Sequence, residues 1–86
     1  MRPAQVVRQA RELVGELTGL PAEGVTGFRR DGDGWIVTVE VLELERVPST
    51  MDILGSYDVT VSDDGDVLDF RRLRRYTRAQ ASGQED

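Results

Sequence analysis

Cysteine, histidine and lysine are all missing from this 86-residue chain. Without cysteine there is neither a disulfide framework nor a thiolate metal site. Without histidine and lysine the commonest general base and the Schiff-base amine are gone, and no Gly-x-Ser-x-Gly elbow or phosphate-binding loop replaces them. These absences remove most nucleophilic and acid/base schemes, and the chain reads as a non-enzyme with no cofactor and no metal. No apolar run approaches the roughly 18 residues that span a bilayer, and Met1-Arg2-Pro3 leads into no signal-like apolar stretch. The reading is therefore a cytoplasmic protein without a membrane partner, held together by packing alone.

What the chain does carry is charge. All 11 basic residues are arginine, against 16 acidic ones, for a net charge of −5. From Asp31 through Asp69 eleven acidic residues face the single Arg46, whereas Arg71, Arg72, Arg74, Arg75 and Arg78 crowd the following stretch. Such segregation suits a molecule that steers partners or pairs with a copy of itself as a homodimer. The plainer alternative is a solvated surface with internal ion pairs.

Val6, Val7, Ala10, Leu13, Val14 and Leu17 recur at three- and four-residue steps, which predicts a helix from about residue 3 to residue 18, closed by Gly19. The period then becomes two. Strands are predicted at Val25–Arg30, Trp35–Arg46, Leu54–Ser62 and Val67 to about Tyr76, separated by turn signals at 31–34, 47–52 and 63–66. The expected fold class is α+β: one N-terminal helix packed on a four-stranded antiparallel meander sheet, in a single domain over 1–78, with 79–86 as a flexible tail.

A two-residue turn at Asp64-Gly65 sets Val61 opposite Leu68, Val59 opposite Phe70 and Tyr57 opposite Arg72. Inward parity on the other side of the third strand pairs Val39 with Val61, Val41 with Val59 and Glu43 with Tyr57. The last helix-facing row is then a charge row of Glu43, Tyr57 and Arg72, in which Arg72 is expected to be partly buried and bonded to Glu43. Leu42 and Leu44 fall on the face away from the helix, with Leu73 across the third strand from Leu44. Two explanations stand for these leucines. Bulges near Leu42 and Arg72 would turn them into the core; otherwise they form an apolar partner patch rimmed by Arg71, Arg74 and Arg75.

Other features carry less. Paired carboxylates can do acid/base work, but here they sit in turns or on alternating strand positions, where solvated surface is the simpler reading. Asp63, Asp64 and Asp66 offer oxygen ligands without a calcium-loop geometry. Arg71 to Arg78 with Phe70 and Tyr76 mix cations and rings as a nucleic-acid surface does, against an acidic remainder and no helix-turn-helix or RNP pattern. Trp35, in phase with Val37 and Val39, reads as core edge.

From Leu17 to Arg78 the segments Leu17-Thr18-Gly19, Val25-Thr26-Gly27, Gly34-Trp35, Val39-Glu40-Val41-Leu42-Glu43, Arg46-Val47-Pro48, Asp52-Ile53-Leu54, Tyr57-Asp58-Val59, Asp64-Gly65 and Phe70-x-Arg72-x-x-Arg75-Tyr76-x-Arg78 follow one another. In that order and spacing the sequence resembles the gas vesicle protein O family (GvpO). Asp58 stands where the family favours glutamate, and Phe70 where tyrosine is common. The resemblance implies a cytoplasmic, non-catalytic accessory protein needed to build gas vesicles, the protein-walled flotation organelles of some bacteria and archaea. It implies contacts with other gas vesicle accessory proteins and the hydrophobic wall protein. It brings no cofactor and no catalytic residue. Leu42, Leu44, Arg71, Leu73, Arg74, Arg75 and Arg78 are the partner-binding residues expected on this reading. The alternative is a nucleic-acid-binding regulator of gas vesicle genes that uses the arginine strip.

Overall fold

Val6, Ala10 and Val14, four residues apart, are the fully buried stripe of helix α1 (Pro3–Thr18) in a computed structural model that describes residues 2–79. Leu13 is half-buried at its margin, and Leu17, expected on the stripe, is 58% exposed. The helix ends where Gly19 takes a φ of 69° and donates its N–H to the Gly15 carbonyl at 2.9 Å, a conformation that favours glycine.

Four strands follow, β1 (Ala22–Asp31), β2 (Gly34–Leu44), β3 (Ile53–Ser62) and β4 (Val67–Thr77), with a 3-10 turn at Ser49–Met51 between β2 and β3. They form one antiparallel sheet in the order β1-β2-β3-β4. The architecture is the α+β arrangement expected. Of the expected tail, only Ala79 lies within the described residues.

α1 lies across β1, β2 and β3. Under it the inward residues Val37, Val39, Val41, Tyr57, Val59 and Val61 close the core, with Trp35, Phe70, Leu20 and Val25 at its margin. Trp35 is core edge, stacked on Phe28 with ring centroids 4.8 Å apart and covered by the Arg30 guanidinium at 4.5 Å.

Register departs from expectation in two places. Val59 does face Phe70, and Tyr57 does face Arg72, but Val61 pairs with Val67 rather than Leu68. The 63–66 turn is longer than two residues, and the extra residue Leu68 in β4 restores the pairing beyond it. Between β2 and β3 the register is displaced by four residues. Val37 faces Val59 and Val39 faces Tyr57, where Val41 and Glu43 were expected. A displacement by an even number keeps every valine on the helix side, so the core survives while its rows move.

Candidate functional site

The displaced register puts Glu43 into a bulge: Leu42 pairs with Leu54 and Leu44 with Ile53, leaving Glu43 as the extra residue. A second bulge lies at Leu73, since Tyr57 pairs with Arg72 and Ser56 with Arg74. It places Arg75 opposite Gly55 on the same side as Arg72. Gly55 has no side chain, and a Cβ there would collide with the Glu43 carboxylate. Through that gap Glu43 reaches back to Tyr57, whose hydroxyl donates to Oε2 at 3.1 Å. Arg72 Nη2 and Arg75 Nε both meet Oε1 at 3.1 Å. Glu43, Tyr57 and Arg72 therefore meet although Glu43 and Tyr57 are not directly opposite. Glu43 is enclosed, with 10% of its side chain exposed, whereas Arg72 and Arg75 remain 47% and 55% exposed. Tyr57 also stacks on Phe70 at 5.3 Å. Burial pushes the Tyr57 phenol above its ordinary range; the Glu43 bond and charge add to this, and the two arginines offset part of it.

The opposite face is closed by a different network. Leu42, Leu54 and Tyr76 share one row there. Leu54 is 1% exposed and Tyr76 8%. The Tyr76 hydroxyl donates to Glu40, and the Arg74 guanidinium sits 4.4 Å over its ring. Arg78 Nη2 bonds Glu23 Oε1 at 2.7 Å and Asp52 Oδ2 at 3.1 Å, and the Arg78 N–H donates to the Asp52 carbonyl at 2.9 Å. Asp52 Oδ1 accepts the Arg46 N–H at 2.8 Å, so one aspartate ties the β2–β3 loop to the end of β4. That amide holds the Asp52 carboxyl below its usual range; burial opposes the effect and Arg78 reinforces it. Burial pushes Glu40 up and the Glu23 charge adds to it, while Arg78 and Arg74 pull the other way. Farther along, Thr38 Oγ1 donates to Asp58 Oδ1 at 2.6 Å, with Arg29 3.8 Å from the same carboxylate.

The expected partner residues thus separate. Leu44 and Leu73 are 43% and 50% exposed, so the two bulges occur without turning either leucine into the core. They do not share a row: Leu44 pairs with Ile53, whose partner on β4 is Thr77, four residues beyond Leu73. Leu42 is half-buried. Arg78 is engaged by Glu23 and Asp52, and Arg74 by Tyr76. Arg71 extends with its side chain 68% exposed, 3.5 Å from Asp69. The Asp52–Arg78–Glu23 and Glu40–Tyr76 contacts escaped sequence reasoning, because Glu23 and Asp52 read as loop residues and bulges leave no compositional trace.

The described residues contain no group of three or more side chains suited to a metal ion, and no helix among them is long and apolar enough to cross a membrane. Fold and surface together define a small α+β protein whose polar groups largely serve one another. The chain belongs to the gas vesicle synthesis protein GvpO family, whose profile matches residues 1–82. It is 48% identical over 79 residues to gas vesicle protein O of Streptomyces sp. (strain CB03234), covering 92% of this chain and 62% of the relative. It is 39% identical over 70 residues to gas vesicle protein O1 of Halobacterium salinarum, covering 81% of this chain and 59% of that one. Gas vesicle protein O of Haloferax mediterranei is 39% identical over 71 residues, covering 81% of this chain and 51% of its own length. The chain therefore spans between half and two thirds of the relatives it matches. No solved structure matches it.

Proposed function

We propose that this protein is a non-catalytic accessory factor of gas vesicle assembly, acting in the cytoplasm through contacts with other gas vesicle proteins. The observation that carries the reading is membership of a gas vesicle synthesis family across residues 1–82. The surface of β4 supports it: Leu73 is 50% exposed, between Arg72 and Arg74 in the chain and close to Arg71 and Arg75, whose charged ends reach solvent. Apolar side chains set among arginines are common in protein interfaces. Of the expected partner residues, Leu73 and Arg75 carry the contact in this reading, while Arg71 lies on the face opposite Arg75 and Leu44 in a different row.

The test is co-purification of the tagged protein from cells that express a complete gas vesicle gene cluster, beside a duplex-DNA binding titration over a range of salt. An accessory factor retains at least one gas vesicle protein and shows no DNA binding at physiological salt. A gene regulator does the reverse, binding duplex with affinity that falls steeply as salt rises. The regulator reading is weakened because Arg78 is held between two carboxylates, Glu23 and Asp52, and because Arg72 and Arg75 share Glu43, which leaves little of the strip's charge for phosphates.

A further inference from the structure

One helix cannot cover this sheet. Four strands about 4.8 Å apart span roughly 19 Å, whereas a helix with its side chains is about 10 Å across. α1 occupies β1, β2 and β3, and the helix-facing side of β4 beside it stays open. Val67, opposite the core residue Val61, is 38% exposed there, and Phe70 is only half-buried against Tyr57. Arg72 and Arg75 border the same shelf. The two cations share the single carboxylate of Glu43, which leaves one positive charge in excess beside an apolar floor. Val67 and Arg75 pair with Val61 and Gly55, six steps apart on β3, so the shelf runs about 20 Å, the length of a helix of about 13 residues.

We propose that this shelf takes an amphipathic helix from another gas vesicle protein, laid alongside α1. Its apolar stripe rests on Val67 and Phe70, and its carboxylates point toward Arg72 and Arg75. The proposal rests on the accessory-factor reading and adds the place and chemistry of the contact. A second copy of this chain is a poor occupant. The apolar stripe of its α1 is already buried, and the polar faces of that helix would bring Arg8 and Arg11 toward Arg72 and Arg75. Strand addition at the β4 edge is disfavoured by the irregularities at Leu68 and Leu73.

The experiment places the photo-crosslinking residue p-benzoylphenylalanine at Val67 on the shelf, or at Arg71 on the opposite face, in cells producing the whole vesicle cluster. Cross-linked peptides are then sequenced. The expected product at position 67 is an acidic amphipathic segment of a gas vesicle protein. Arg75→Gln should lower its yield roughly threefold, the worth of one half-exposed charge pair, while lowering the melting temperature by no more than about 3 °C, because Arg72 still holds Glu43. A yield unaffected by Arg75→Gln, or products at 67 that contain only this chain, overturns the proposal. A gas vesicle protein captured from position 71 and not from 67 overturns the shelf while sparing the accessory-factor reading. Capture from neither position removes both.

Discussion

β2 and β4 are each 11 residues long and belong to the same sheet, yet they serve different ends. Val37, Val39 and Val41 of β2 are fully buried beneath α1, whereas Tyr76 is the one residue of β4 in the buried class. β2 is held by packing beneath α1 and by ladders to both β1 and β3. β4 is held by its ladder to β3, by the stack of Phe70 on Tyr57, and by polar contacts from Arg72, Arg75 and Arg78 to carboxylates at Glu43, Glu23 and Asp52. A strand fixed in this way can keep Leu73 and its arginines outside without destabilising the core, which leaves its surface free for the proposed recognition.

The contrast is broken most directly at Val39. Val39→Ala removes two methylene-sized groups from a fully buried site and should cost about 2 kcal/mol, read as a lower urea midpoint at unchanged slope. A cost under about 0.5 kcal/mol, the range of ordinary surface substitutions, would erase the distinction from β4.

Gly55→Ala probes the polar anchor. The new methyl takes the space of the Glu43 carboxylate and should cost about 1–3 kcal/mol. In a double-mutant cycle the same change should cost much less once Glu43→Ala has emptied the gap. Equal costs in both backgrounds would mean that Gly55 does not make room for Glu43.

The two carboxylates of the outer network should respond to pH with opposite sign. Asp52 has a folded pKa below its ordinary 3.8, so its contribution is complete above that value and is lost as pH falls through the folded pKa. Asp52→Asn should therefore make the urea midpoint less sensitive to acid below pH about 4. Glu40 has a folded pKa above its ordinary 4.5, so its contribution is complete below 4.5 and is lost as pH rises through the folded pKa. Glu40→Gln keeps an acceptor for Tyr76 and should leave stability at neutral pH equal or slightly higher. A large loss at neutral pH in Glu40→Gln would contradict this assignment.

The helix and all four strands were legible because apolar spacing reports which face is buried, and burial is what forms these elements. The pairing of β3 with β4 came out as expected at Tyr57 and Phe70 because the extra residue Leu68 offsets a turn one residue longer than the two that Asp64-Gly65 suggested. The pairing of β2 with β3 did not. Residues 45–52 join them through a loop and a 3-10 turn that carry no two-residue turn signature, and even displacements all preserve the valine face. The Glu43–Arg72 contact was nevertheless legible, since a long carboxylate side chain crosses the displacement over a bare glycine. The exposure of Leu44 and Leu73 depended on two bulges, and a bulge is one inserted residue of ordinary composition. The Arg78 anchor was hidden because its partners lie 26 and 55 residues away, at loop and strand-end positions.

Recognition through β4 is tested most directly by Leu73→Asp, made in the protein and in the vesicle-producing cell. Leu73 is half exposed on β4, so the variant should melt within about 3 °C of the parent, the shift that surface changes of about 0.5 kcal/mol produce in a domain of this size. It should also lose co-purifying gas vesicle proteins and reduce vesicle formation. A variant that melts normally, keeps every partner and builds vesicles in normal number would contradict the assignment of β4 as the recognition strand.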